Sequence, residues 1–214
     1  RPLPFAPDIS YRLSSFPYGE GQVRAVLLEP KEKGESKGTI YFIQGYPCFS
    51  MAYLPKEDSY VSAMETMVRK GYAVYFIEKP GMGDSYSKKD CQQIGFNEEL
   101  ELFHKGYEHL LKQAAATDKI LLFGHSLGGI IAPILATRFQ PAGLVVYGTV
   151  LKPWHDYLVD LLREQEPLKG MDYAAAEDSL RIYRPILYDL FVRLKSPSEI
   201  LKGHPLNEQR LKAS

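Results

Sequence analysis

The sequence predicts an α/β fold, in which a mostly parallel β-sheet is covered by α-helices on both faces. In the first 150 residues, short apolar runs rich in β-branched and aromatic residues alternate with amphipathic helical patterns. The interior runs are apolar throughout, which is typical of strands buried on both faces. At 214 residues the chain is long enough to bury a substantial core without disulfides or metals.

The predicted elements begin with a hairpin, whose two strands are joined around Gly19 and Gly21. Four further strands are short and apolar, and three helices carry apolar residues at the spacing of one helical face. Gly71 is expected to end the first helix, and Asn97 to cap the second. In chain order the strands cover residues 9–18, 22–29, 39–44, 72–77, 119–123 and 143–147, and the helices cover residues 57–70, the segment after Asn97, and 127–139.

Residues 151–214 differ in pattern from the rest of the chain. They contain several helical segments, of which 154–166 and 173–194 are the longest, and no convincing strand. Proline residues separate these segments. We therefore predict two parts: a core of about six strands over residues 1–150, and a helical segment over residues 151–214 that is inserted after a strand.

Charge and composition exclude several function classes. The chain has 26 basic and 26 acidic residues, so its formal net charge is zero. A net charge of zero gives no overall electrostatic attraction to nucleic acid or to an anionic membrane. Hydrophobic residues make up 45% and charged residues 24%, which excludes a disordered chain. The longest apolar stretch, residues 120–136, is broken by glycine and proline and is too short to span a membrane. Nothing in the sequence implies a metal, a nucleotide or another cofactor.

The two cysteines, Cys48 and Cys91, leave two interpretations open. Either both are free buried thiols, or they form a disulfide between two loops. Both loops follow neighbouring predicted strands at the same edge of the sheet, so the pairing is geometrically feasible. A disulfide would imply an oxidising compartment. Together with a first residue that is Arg1 rather than Met, it would favour an exported protein that has lost its targeting signal.

The strongest functional motif is G-H-S-L-G at residues 124–128, which matches G-x-S-x-G. A predicted strand leads into it and a predicted helix leads out, so Ser126 lies on a sharp turn where the flanking glycines leave room for a strained backbone. The helix N-terminus behind the serine favours developing negative charge. We predict that Ser126 is a nucleophile, with a purely structural turn as the alternative. The residues around it are expected to be structural: Gly124, His125, Gly128 and Gly129.

With this motif in place, the chain resembles the α/β-hydrolase superfamily. Residues 44–47, Q-G-Y-P, are similar to the family's His-Gly-x-Pro segment, with Gln44 in place of the histidine. The resemblance implies that the backbone N–H groups of Tyr46 and Leu127 form an oxyanion hole beside Gly45. Residues 78–85 resemble the family's D-x-x-G-x-G-x-S loop, with Glu78 in place of the aspartate. The helical residues 151–214 resemble its cap domain.

A serine hydroxyl needs a neighbouring base, and that base needs an orienting carboxylate. The resemblance implies that both follow the cap. None of the five histidines fits well: His125 lies inside the motif, the predicted helix places His104 and His109 on the surface, and no strand precedes His204. We expect the acid and base beyond residue 214, in a missing C-terminal segment or a second chain, and expect this chain alone to be inactive.

The sequence thus predicts a serine hydrolase that acts on a small-molecule ester, thioester or amide through an acyl-enzyme on Ser126. Two alternatives stay open: a non-catalytic binding module with a hydrolase fold, and an acyltransferase on the same scaffold. In the cap, substrate contacts are one interpretation of three residues and an aromatic cap core is the other: Trp154, His155 and Tyr157.

Overall fold

Six β-strands in the first of two structural units pair into one sheet. This computed structural model describes residues 2–32, 36–113 and 119–203. The strands are β1 (Ile9–Tyr18), β2 (Gly21–Pro30), β3 (Thr39–Ile43), β4 (Ala73–Ile77), β5 (Ile120–His125) and β6 (Gly143–Tyr147), and the helices between them are α1 (Ser59–Arg69), α2 (Phe96–Gln113) and α3 (Gly128–Phe139).

The sheet has the order β1-β2-β4-β3-β5-β6. The four strands β4, β3, β5 and β6 are parallel to one another, whereas β2 pairs antiparallel with β4 and β1 pairs antiparallel with β2. The mostly parallel sheet predicted from the apolar runs is therefore confirmed, and the predicted hairpin forms its antiparallel edge.

Helices cover both faces of this sheet. Side chains of α1 pack into one apolar core, and side chains of α2 and α3 pack into another. Neighbouring residues of β3 point into different cores, Phe42 into the first and Tyr41 and Ile43 into the second. This alternation is expected of a strand, whose successive side chains point to opposite faces. It confirms the prediction that the interior strands are buried on both sides.

Two local expectations were wrong. Asn97 does not cap α2, because the helix begins at Phe96 and the Glu98 carboxylate accepts a hydrogen bond from the Gly95 N–H at 3.0 Å. The strand β5 does not end at Phe123 but continues through Gly124 to His125. The strand β6 lies at the edge of the sheet, and four of its five residues are exposed.

The second unit, Val150–Ser214, is helical over its described residues, 150–203. It contains α4 (Trp154–Leu168), α5 (Tyr173–Phe191) and α6 (Pro197–Gly203). The Asp172 carboxylate caps α5 by accepting from the Ala174 N–H at 3.0 Å, and Arg163 of α4 pairs with Glu177 of α5 at 2.5 Å. In the part of the chain that is described, no helix combines the length and the apolar character needed to cross a bilayer.

Candidate active site

Ser126 lies at the turn between β5 and α3. Its φ is 54°, in the left-handed region that residues with a side chain rarely adopt. Two hydrogen bonds hold this backbone: the Ser126 N–H donates to the Tyr147 carbonyl at 3.0 Å, and the Ser126 carbonyl accepts from the Gly129 N–H at 2.9 Å. The serine is therefore fixed in a strained conformation where the strand ends and the helix begins.

Two of the flanking glycines are required by close backbone approach. A Cβ on Gly124 would overlap the carbonyl oxygen of Gly128, and a Cβ on Gly128 would overlap the carbonyl oxygen of Ile43 in β3. The turn thus packs against itself and against the neighbouring strand. This contact explains why the motif needs small residues on both sides of Ser126.

The residue that follows Gln44 faces Ser126 directly. A Cβ added to Gly45 would lie 3.0 Å from the Ser126 Cβ and 3.4 Å from its Oγ, so any larger residue here would crowd the serine. The next residue, Tyr46, is 73% exposed. Within the described residues, neither the Tyr46 N–H nor the Leu127 N–H has a hydrogen-bond acceptor. Tyr46 follows Gly45 and Leu127 follows Ser126, so two unpaired backbone N–H groups belong to the residues next to this close contact.

The segment after β3, residues 44–52, which we call the β3 loop, is held by the segment after β4, residues 78–91, the β4 loop. The side chain of Lys79 is 1% exposed. Its Nζ donates to the carbonyl oxygens of Gly45 at 2.7 Å and Tyr46 at 3.0 Å, and pairs with Glu99 Oε1 of α2 at 2.5 Å. Burial lowers the pKa of Lys79, and the Glu99 carboxylate opposes that shift.

The far end of the β3 loop is held by Glu78. One of its carboxylate oxygens accepts from the Ser50 hydroxyl at 2.7 Å and from the Met51 N–H at 2.9 Å. The other pairs with Arg24 of β2 at 2.5 Å. Arg24 also contacts Asp84 at 2.5 Å. Glu78, which stands where the resembling loop has aspartate, is thus a buried residue of the β4 loop that binds both the β3 loop and β2.

A disulfide joins the middle of the same two loops. Cys48 and Cys91 are bonded, with their Cα atoms 6.0 Å apart. The Cys91 N–H in turn donates to the Pro80 carbonyl at 2.8 Å. The interpretation with two free thiols is therefore not the one that the structure adopts, and the β3 loop is tied to the β4 loop at its start, middle and end.

His125 is engaged on the other side of the turn by Tyr60 of α1. The Tyr60 hydroxyl lies 2.6 Å from His125 Nδ1 and accepts a hydrogen bond from the Gly45 N–H at 3.4 Å. Burial lowers the pKa of His125 and raises the pKa of Tyr60. These bonds connect α1, the β3 loop and the serine turn.

The three aromatic residues considered for substrate binding all lie at the start of α4, in the second unit. The Trp154 ring stacks on Tyr157, with centroids 5.3 Å apart. The His155 ring packs edge-to-face on Tyr188 of α5 at 5.7 Å, and its Nδ1 lies 3.0 Å from Asp156 Oδ1. The Trp154–Tyr157 stack thus lies within α4, whereas the His155–Tyr188 contact joins α4 to α5.

The surface positions predicted for two other histidines were wrong. His104 is partly buried against the ring of Phe139, with centroids 4.9 Å apart. His109 contacts Phe16 and lies 3.1 Å from the Ser14 hydroxyl. His104 thus faces α3 and His109 faces β1, and both side chains are half-buried. His204 lies outside the described residues.

Sequence reasoning missed the polar residues that hold the β3 loop. They are Tyr60, Lys79 and Glu99, together with the structural role of Glu78 and Arg24. The one sequence feature that pointed to them is the pair Glu78-Lys79 directly after an apolar strand, at the edge where the motif serine is expected. Over the described ranges, no group of histidine, cysteine and carboxylate side chains could hold a metal ion.

The sheet order, the helices on both faces and the serine turn define the class of this protein as an α/β hydrolase. A model of the family described as serine aminopeptidase, S33, matches residues 55–210. The chain therefore belongs to this family.

The chain is also similar to one curated protein and to solved structures. It is 34% identical to a proline iminopeptidase of Saccharolobus solfataricus over 89 residues, which are 41% of this chain and 27% of that protein. The chain thus spans about a quarter of that relative's length.

Two solved structures share the fold at low sequence identity. A thermostable carboxyl esterase from Bacillus coagulans matches with a TM-score of 0.51 and 20% identity, over 78% of this chain and 55% of the esterase. The α/β hydrolase GrgF from Penicillium sp. sh18 also has a TM-score of 0.51, with 14% identity, over 76% of this chain and 56% of the other. At these identities the likeness concerns the fold alone.

Proposed function

We propose that this chain provides the nucleophile and the oxyanion hole of a serine hydrolase that cleaves a small-molecule ester, thioester or amide. The observation that carries the proposal is the backbone of Ser126, which is held at a φ of 54° on a strand-to-helix turn directly against Gly45. A non-glycine residue is kept in such a conformation only where the surrounding structure compensates its cost. The aminopeptidase description of the family makes an amide the first substrate class to test.

The proposed reaction has two steps at Ser126. Its Oγ attacks the substrate carbonyl carbon while a general base takes the hydroxyl proton, and the carbonyl oxygen becomes an anion. The Tyr46 and Leu127 N–H groups donate to that oxygen, each contributing about 3–4 kcal/mol to the transition state. The bond to the leaving group then breaks and the base returns the proton to that group. Water attacks the acyl-serine in the same way, which releases the acid and restores Ser126.

We propose that the general base and its carboxylate lie beyond Ser214 or on a second chain. Supporting this, the Ser126 hydroxyl has no hydrogen-bond partner among the residues that the structure describes. His125 is next to it in sequence, but its Nδ1 is occupied by Tyr60. Trp154, His155 and Tyr157 stay candidates for substrate contacts from the cap.

The test is covalent labelling of the full-length protein with a fluorophosphonate, followed by mass spectrometry of the peptide that contains Ser126. We expect one phosphonyl group on Ser126, and none on that peptide in the matched variant S126A. A folded, full-length protein that is not labelled would instead support the non-catalytic binding module. A labelled protein that passes its acyl group to an added alcohol or amine faster than to water would support the acyltransferase.

A further inference from the structure

The peptide group between Gly45 and Tyr46 is held by one buried cation. Its carbonyl oxygen, that of Gly45, accepts from Lys79 Nζ at 2.7 Å, and its N–H, that of Tyr46, is a proposed oxyanion donor. The next carbonyl, that of Tyr46, also accepts from Lys79 Nζ, at 3.0 Å. One ammonium group therefore binds the peptide groups on both sides of the Tyr46 Cα.

We propose that Lys79 is a positioning residue for the oxyanion hole, and this inference rests on the function proposed above. Two fixed carbonyls determine the orientation of the peptide plane, and with it the direction of the Tyr46 N–H. A charge-assisted hydrogen bond to a carbonyl also polarises that peptide group, which makes its N–H a stronger donor. Lys79 thus sets the direction and the strength of one oxyanion donor without touching the substrate.

The coordination of Lys79 favours this role over a purely structural one. The ammonium group makes two hydrogen bonds, both to the β3 loop, and its charge is paired with the Glu99 carboxylate, which is 5% exposed. A buried ion pair gives little net stability compared with apolar side chains of similar size. What this pair adds, and two apolar side chains cannot add, is a fixed pair of donors aimed at the carbonyls beside Ser126.

The experiment compares variants of the full-length protein in two assays. The first assay is the second-order rate of fluorophosphonate labelling at Ser126, and the second is the hydrolysis of p-nitrophenyl acetate. K79M/E99M removes both charges, so no unpaired charge is left buried, and K79Q/E99Q keeps neutral polar groups of similar length. The matched control is L110A, which lowers stability from the buried face of the same helix α2 without touching the β3 loop.

We expect the labelling rate of both double variants to fall about tenfold to hundredfold, because a small displacement of a catalytic donor has effects of that size. In the ester assay kcat should fall while KM stays within about twofold. L110A should have a lower Tm and a labelling rate close to that of the wild type. A structural role alone would instead lower the Tm of the double variants and leave kcat unchanged.

The outcomes separate the two proposals. A wild-type protein that is folded and not labelled at Ser126 overturns the proposed function and the role of Lys79 with it. A labelled wild type, together with a folded double variant that is labelled at the wild-type rate, overturns the role of Lys79 alone.

Discussion

The two neighbours of β5 in the sheet have similar sequences and opposite environments. β3 (T-I-Y-F-I) is buried at every position, whereas β6 (G-L-V-V-Y) has Val145 50% exposed and Tyr147 67% exposed. In the described part of the chain β3 pairs with strands on both sides and β6 pairs only with β5. Over the described residues, the serine turn therefore lies between two different flanks. We call the side of the fully paired strand β3 the closed flank and the side of the edge strand β6 the open flank.

The loops that follow these strands differ in the same way. The β3 loop is tied to the β4 loop by Lys79, by Glu78 and by the disulfide. On the β6 flank the Ser126 N–H donates to the Tyr147 carbonyl, Tyr147 stacks on His125, and Thr149 packs closely against Gly129. The β3 side of the serine turn, where we propose the oxyanion hole, is thus held by buried polar contacts of the kind that preorganise such a site.

The largest expected effect is on the closed flank. K79M alone leaves Glu99 buried without its partner, and should lower the free energy of unfolding by about 3–5 kcal/mol. The measurement is urea-induced unfolding of the full-length protein, followed by intrinsic fluorescence.

The matched substitution on the open flank is V145T, which changes one exposed side chain to a similar shape. In the 214-residue chain, where Val145 is 50% exposed, it should change the free energy of unfolding by less than about 0.5 kcal/mol. Equal losses in K79M and V145T would remove the contrast between the flanks.

The second effect concerns the disulfide. Replacing both cysteines by serine, C48S/C91S, removes a crosslink between residues 43 positions apart. The unfolded chain then gains conformational freedom, and we expect a loss of about 2–4 kcal/mol in the free energy of unfolding. Wild-type protein treated with a reductant is the control, and should unfold at the same urea concentration as the variant. An unchanged midpoint in both samples would show that the closed flank does not depend on this bond.

The smallest effect concerns the link between the flanks. Y60F removes the hydroxyl that binds His125 Nδ1 and the Gly45 N–H. We expect a loss of about 1 kcal/mol in stability, mainly from the short hydrogen bond to His125, because the contact with the Gly45 N–H is long at 3.4 Å and contributes little. Thermal unfolding at constant pH measures it, and Y86F, on the exposed Tyr86, is the comparison variant. A loss as large as that of K79M would mean that the closed flank depends on Tyr60 more than on the buried cation.

The fold could be predicted because its elements follow from local patterns. Short apolar runs that are rich in β-branched and aromatic residues, such as residues 39–43, indicate buried strands. Gly71, with a φ of 92°, follows the end of α1 as expected. The turn at Ser126 could also be predicted. A sharp turn from a strand into a helix brings backbone atoms close together, and glycine at positions 124 and 128 leaves room for them. The strands and the end of α1 depend on neighbours in the sequence, whereas Gly128 is also required by its contact with Ile43 in β3.

What could not be predicted depends on neighbours in space. The runs T-I-Y-F-I and G-L-V-V-Y have the same strand pattern, and only the position in the sheet makes one buried and the other exposed. Lys79 and Glu99 each look like surface residues, because a charge is usually solvated. Their pairing needs α2 to place a carboxylate over the β4 loop, which no local pattern encodes.

We propose that the Tyr46 and Leu127 N–H groups form one oxyanion-binding site beside Ser126, held in place from the β3 side. The most direct test is a crystal structure of the full-length protein after phosphonylation. We expect a phosphonyl oxygen about 2.7–3.1 Å from both the Tyr46 and Leu127 nitrogen atoms, with Lys79 still bound to the Gly45 and Tyr46 carbonyls. A phosphonyl group on another residue, or one on Ser126 whose oxygens bind neither N–H, would contradict it.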